Sequence, residues 1–142
     1  MDNACLKKQE EIKTLFQDCT TKEAIYQKII EEGRLSPKLD PQFKTPENVV
    51  KGCQSILYLH TEIKGDLLFF RTESEALISS GLASLLTRVY SGEPPETILK
   101  CPPTFIDELG LSSSLSPGRS NGLASMYLRM KQEALKFILS KI

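Results

Sequence analysis

Residues 56–70 read Ile56-Leu57-Tyr58-Leu59-His60-Thr61-Glu62-Ile63-Lys64-Gly65-Asp66-Leu67-Leu68-Phe69-Phe70. β-Branched and aromatic residues crowd both halves, and no helical period runs through them. Lys64-Gly65-Asp66 places a glycine, free to take positive φ, between the two apolar runs. An antiparallel hairpin is therefore predicted. Upstream, Val49-Val50 is a shorter run of the same kind, and Gly52-Cys53-Gln54-Ser55 would link it to the long strand. The expected sheet thus has three antiparallel strands.

Both flanks are helical. Leu6, Ile12, Leu15, Phe16 and Cys19 share one face of a first amphipathic helix. Thr20, three residues ahead of Glu23, has the spacing of a capping box for a second helix striped by Ile25, Tyr26, Ile29 and Ile30, with Gly33 as its left-handed terminus. Pro37, Pro41 and Pro46 make residues 35–46 an extended connector. After the hairpin, Thr72 or Ser74 is expected to cap a helix whose Leu77, Ile78, Leu82, Leu85, Leu86, Val89 and Tyr90 form a wide apolar face ending near Gly92. Pro94-Pro95 suits the first turn of a short helix to Leu99, and Thr104 to Leu109 forms another short turn closed by Gly110. Ser112 to Ser116 reads as a loop. Ser116-Pro117 opens the last helix, striped by Leu123, Met126, Tyr127, Met130, Ala134, Phe137 and Ile138. Strands this close in sequence leave no room for crossover helices, so the fold class is α+β: a small three-stranded antiparallel sheet covered by helices, in a single domain spanning residues 1–142.

Composition narrows the function. With 142 residues, 40% of them hydrophobic and 25% charged, one core is expected. Eighteen basic residues balance eighteen acidic ones, so no global field gathers nucleic acid or an anionic membrane, and the expected partners are proteins. Apolar runs such as Leu67-Leu68-Phe69-Phe70 fall far short of the ~20 residues that span a bilayer. The start, Met1-Asp2-Asn3-Ala4-Cys5-Leu6-Lys7-Lys8, lacks the basic and apolar regions of a secretory leader, and a cytoplasmic location is expected. Cysteines at 5, 19, 53 and 101 form no C-x-x-C pair, so neither a metal site nor a bound cofactor is expected of this chain. In a reducing compartment these thiols are expected to stay out of structural disulfides, and a cysteine would matter through its reactivity.

Cys53 is the informative one, because Gly52-Cys53-Gln54-Ser55 is a tight turn and not part of an apolar stripe. A sulfur at a loop tip can attack the outer sulfur of a partner's persulfide by thiol–disulfide logic. Gly52 lets another backbone approach, and Gln54 and Ser55 can donate hydrogen bonds to a thiolate. Packing as a small hydrophobe is the competing reading for any lone cysteine. Cys5 and Cys19 fall on helix positions, whereas Cys101 precedes Pro102 in a loop where exposure is plausible. His60, the only histidine, lies on the long strand roughly 20 Å from Cys53 at strand rise, too far for a Cys-His pair, and is expected to face solvent or an edge. Arg119 stands in the first turn of the last helix, where a cation opposes the helix dipole, so it is a candidate for holding the Cys53 loop or a sulfur anion. Glu73 and Glu75 are explained by the dipole at a helix start.

Three blocks in this order resemble the SufE-like family: Thr45-Pro46-Glu47-Asn48-Val49-Val50-Lys51-Gly52-Cys53-Gln54-Ser55, then Glu73-Ser74-Glu75-Ala76 through Gly81-Leu82, then Leu115-Ser116-Pro117-Gly118-Arg119-Ser120-Asn121-Gly122-Leu123. The resemblance implies an α+β domain similar to IscU-type scaffold proteins. It implies that Cys53 receives sulfane sulfur from a SufS-type, pyridoxal-phosphate-dependent cysteine desulfurase, stimulates that enzyme, and delivers sulfur to a SufBCD-type scaffold for iron–sulfur cluster assembly. Arg119 would be the accompanying basic residue, with Gly52, Gln54 and Ser55 shaping the loop. The chain would be an accessory carrier and not a stand-alone enzyme; pairing of two copies is left open. Tyr58 departs from the family, many of whose members have tryptophan just after the loop. A cluster scaffold would need several converging ligands where only Cys53 occurs, a self-contained thiol enzyme would need a base nearer than His60, and an activator that carries no sulfur would not need Cys53 at all.

Overall fold

A computed structural model describes residues 3–142; Met1 and Asp2, which begin the stretch read for a leader, lie outside the described residues. Helices α1 (Asn3–Leu15) and α2 (Lys22–Leu35) come first, followed by 3-10 turns at Pro41–Phe43 and Pro46–Asn48. The hairpin is β1 (Leu57–Lys64) and β2 (Leu67–Ser74), and α3 (Leu77–Tyr90), α4 (Pro95–Lys100), α5 (Phe105–Glu108), α6 (Leu111–Ser114) and α7 (Pro117–Ser140) complete the chain. No helix among the described residues is long and apolar enough to cross a membrane.

The α+β class is correct, but the sheet has two strands where three were expected. β1 and β2 pair antiparallel from Leu57↔Ser74 to Lys64↔Leu67, around Gly65 at φ 62°. Val49 contributes one bridge, to Tyr58, and no strand. The reason is local: Pro46 holds the preceding residues in a 3-10 turn, and Gly52 at φ 90° bends the chain away two residues after Val50. At the other edge the chain leaving α3 pairs once, Leu68 with Glu93.

Strand alternation sends Leu57, Leu59, Leu68 and Phe70 inward. They meet α3, whose Leu82, Leu85, Leu86 and Val89 are fully buried, with α1 and α2 on one side and Leu123, Met126, Met130 and Ala134 of α7 on another. Several local expectations shift. Thr21, not Thr20, caps α2, its hydroxyl accepting from the Ala24 N–H at 3.1 Å. Gly33 stays inside α2, where it lies against Gly81 of α3, instead of ending the helix left-handed. Thr72 lies within β2; Ser74 serves the entrance to α3 by accepting from Ala76 N–H. The serine-rich stretch contains the single turn α6, and Ser116 caps α7 by accepting from Arg119 N–H.

Glu73 is a strand residue paired with Tyr58, not a helix-start acid. Its carboxylate accepts from the Leu39 backbone N–H at 2.7 Å and holds the Lys44 ammonium at 2.6 Å, pinning the connector to the sheet. The Lys44 bond holds its carboxyl below the usual range, burial opposes this, and the Leu39 N–H adds to it. A folded pKa below the unfolded one stabilises above the ordinary carboxylate value of ~4.3 and is lost as pH falls through the lower folded value. Glu73→Gln is thus expected to destabilise by about 1–2 kcal/mol at neutral pH. Urea titrations of the two proteins should converge as pH drops below about 4.

Candidate functional site

Residues 51–56 form a tip whose neck is closed where Val50 N–H donates to Leu57 C=O at 2.9 Å, beside the Val49↔Tyr58 bridge. Cys53 sits at this tip, half-buried, as the sequence places it. The seat is the N-terminal half of α7. The Cys53 S–H faces the Gly122 carbonyl at 3.8 Å, and a Cβ added at Gly122 would just touch Cys53 Sγ. A Cβ at Gly118 would collide with the Gln54 amide, and one at Gly52 with the Ser125 hydroxyl. Gly118, Gly122 and Ser125 lie on one face of α7, so small residues at helical spacing let the tip lie directly on the helix.

Burial pushes the Cys53 thiol above its ordinary value, because the thiolate is the form that loses hydration. The carbonyl facing it serves only the neutral S–H. In the isolated protein, alkylation of Cys53 should therefore rise with a midpoint above the ordinary thiol value of ~8.5. Iodoacetamide labelling across pH, read by peptide mass, measures it; a midpoint at or below that of a free thiol would contradict the burial.

Gln54 and Ser55 line a groove with Tyr26, Ile30, Leu77 and Arg119. The Arg119 guanidinium lies 5.9 Å from the Tyr26 ring centroid, on the α2 side of the tip. The structure thus brings Gly52, Cys53, Gln54, Ser55 and Arg119 to one end of α7, with Ile56 and Leu77 exposed beside them. Tyr58, the departure from the family pattern, lines a second groove with Lys44, Ser55, Ile56 and Glu73. His60 lies on an edge strand, as one of the expected settings had it, but is largely covered: its ring stacks on Phe43 at 3.7 Å, a contact supplied by the proline-rich connector.

Arg129, which sequence reasoning did not single out, reaches from α7 to the neck, donating to the Val49 carbonyl at 3.1 Å and the Glu47 carbonyl at 2.5 Å. Its signal was weak, one cation among several on a long helix. The cysteine expectation also needs correction. Cys5 and Cys101 are joined by a disulfide, with Cα atoms 6.7 Å apart, both buried and both within reach of the Gln9 amide. The packing of α1 against the end of α4 brings the two buried sulfurs together, a long-range pairing that the spacing did not show, and Cys101 is not exposed. Cys19 and Cys53 are the free thiols among the described residues. There, too, no three His, Cys, Asp or Glu side chains are grouped to hold a metal ion.

Comparison with known proteins places both the sequence and the fold in one family. Residues 10–134 match the family described as SufE, the Fe-S metabolism associated domain. The chain is 38% identical over 129 residues to SufE-like protein 1, chloroplastic/mitochondrial, of Arabidopsis thaliana, covering 90% of this chain and 35% of that one. An uncharacterized SufE-like protein of Rhizobium etli is 39% identical, with 77% of each covered. The cysteine desulfuration protein SufE of Plasmodium falciparum is 31% identical, over 74% of this chain and 44% of its own length. This chain therefore spans about a third of the Arabidopsis relative and under half of the Plasmodium one. A solution structure of a hypothetical protein from Thermus thermophilus superimposes with a TM-score of 0.75 at 26% identity, covering 93% of this chain and 96% of that one. A family match over residues 10–134, relatives 38–39% identical over most of this chain and a superimposable fold lead to one assignment: the chain belongs to the SufE family.

Proposed function

We propose that Cys53 accepts sulfane sulfur from the active-site cysteine persulfide of a SufS-type cysteine desulfurase and carries it toward a SufBCD-type scaffold for iron–sulfur cluster assembly. The observation that carries this reading is the placement of a free thiol at a loop tip pinned at its neck and resting on small residues. Such a tip can swing out without disturbing the core. In the transfer, the Cys53 thiolate attacks the outer sulfur of the donor, the donor's S–S bond breaks, and the donor cysteine leaves as a thiolate. One sulfur moves, and no external oxidant or reductant is consumed.

Cleavage of free cysteine belongs to the desulfurase and its pyridoxal phosphate. The chain described here would act by removing the persulfide that blocks the next turnover, so it stimulates without being an enzyme of its own. Half-burial keeps the thiol mostly protonated until docking exposes it. Arg119 lines a groove with Gln54 and Ser55, the residues that follow Cys53, and its charge would offset the negative charge of the transferred sulfur once the tip moves toward it. We place this encounter in the cytoplasm; fractionation of the native cell decides between that and an organelle.

The test is intact-mass analysis after incubation with desulfurase and cysteine, followed by peptide mapping. One added sulfur on the Cys53 peptide is expected. Sulfur found consistently on Cys19 would overturn the assignment.

A further inference from the structure

We propose that Arg129 is a positioning residue that clamps the neck of the Cys53 loop to α7; its consequence for transfer rests on Cys53 being the sulfur acceptor. The tip itself is held by few polar bonds: Gly52 and Gln54 are exposed, and the Cys53 thiol, packed half-buried against the core, makes one weak hydrogen bond, to Gly122 O at 3.8 Å. Where the sulfur lies therefore depends on how the two sides of the neck are fixed. The outgoing strand is fixed by β1 pairing with β2 from Leu57 onward. The incoming segment, residues 46–50, joins the sheet through the Val49 bridge and the Val50–Leu57 hydrogen bond, and Val50 is buried in the core.

Arg129 ties this segment to α7 as well. One guanidinium nitrogen donates to Val49 O at 3.1 Å and the other to Glu47 O at 2.5 Å, while Nε faces the Glu133 carboxylate at 3.4 Å. The side chain is 18% exposed, so these charged donors are largely screened from water. Arg129 lies one turn beyond Ser125, on the same helix as Gly118 and Gly122. The neck and the seat of the tip are thus fixed to one rigid element, and their separation sets where Cys53 Sγ sits. A planar fork is needed to reach two carbonyls at once while a carboxylate orients it; the single ammonium of lysine cannot do all three.

Native-state alkylation of Cys53 in Arg129→Ala and Arg129→Lys tests this, with Cys19 in the same molecule as the internal control. Loss of a charge-assisted restraint is expected to raise the Cys53 rate about tenfold in the alanine variant. Cys19 should label at the parent rate. The lysine variant should fall between, and millimolar methylguanidinium should return the alanine variant toward the parent, a rescue that general loosening would not show. An unchanged Cys53 rate, or an equal rise at Cys19, overturns the proposal; if the alanine variant does not fold, the lysine variant decides by the same readout. Initial rates of sulfur loading from desulfurase, expected to fall in both variants, are measured in parallel. Labelling that changes as expected while the parent protein takes up no sulfur would retain the clamp and reject the acceptor reading.

Discussion

Replacing Cys53 by serine is expected to reduce sulfur loading to background and to leave the desulfurase turning over at the rate it shows alone. Serine matches cysteine closely in shape, and the thiol's contact is one weak bond to a carbonyl that a hydroxyl can also make. The loop and its seat should survive, with a stability change within about 1 kcal/mol. What disappears is the nucleophile: an alcohol has no appreciable anionic form near neutral pH and little affinity for sulfane sulfur, whereas a thiolate attacks it directly. Cys19→Ser should load like the parent, because Cys19 lies in the connection between α1 and α2 and not on the tip that α7 seats. Alanine formation by the desulfurase and the intact mass of the carrier are read together. Full stimulation by Cys53→Ser would instead make the chain an activator that carries no sulfur, and would reject the transfer mechanism.

The hairpin was legible because two rules agree at residues 56–70: the apolar runs lack a helical period and a glycine stands between them. The third strand was misjudged because Val49-Val50 satisfies the composition rule, while its length is decided by neighbours, Pro46 on one side and Gly52 on the other. Gly33 shows the same gap. A glycine near a helix end usually terminates it, yet here the missing Cβ serves a crossing with α3, a partner 48 residues away that no local rule reports. At the site, Cys53 could be found because its turn is a local feature. Its seat could not, since Gly122 is 69 residues distant and its smallness has meaning only once α7 is laid against the tip. The dipole rule directed attention to Arg119 at the start of α7, and that residue does face the groove beside Gln54. The cation that touches the neck, Arg129, sits mid-helix, where the same rule is silent. The Cys5–Cys101 disulfide spans 96 residues and was hidden for the same reason.

Gly81→Ala is expected to destabilise the protein by about 2–3 kcal/mol, although the same change on an exposed helix would stabilise by about 1 kcal/mol. A Cβ at Gly81 would fall on the carbonyl oxygen of Ile29 and lie 2.6 Å from its carbonyl carbon. The reciprocal position is equally tight, a Cβ at Gly33 lying 2.8 Å from the Gly81 nitrogen. Both obstacles are backbone, so no rotamer change relieves them; α2 and α3 must separate. That loosens the packing around Ile29 and Leu82, both buried at the centre of the molecule. For a chain of this length the loss corresponds to a fall in Tm of roughly 6–10 °C. Gly65 provides the contrast, with φ 62° but open space around it, and Gly65→Asn should cost no more than about 1 kcal/mol. The separation should also be felt at the start of α7, because Tyr26 on α2 bonds the Ser114 carbonyl at 2.8 Å and carries the ring that Arg119 faces. A Gly81→Ala protein melting at or above the parent temperature would mean that the two helices do not cross at van der Waals contact.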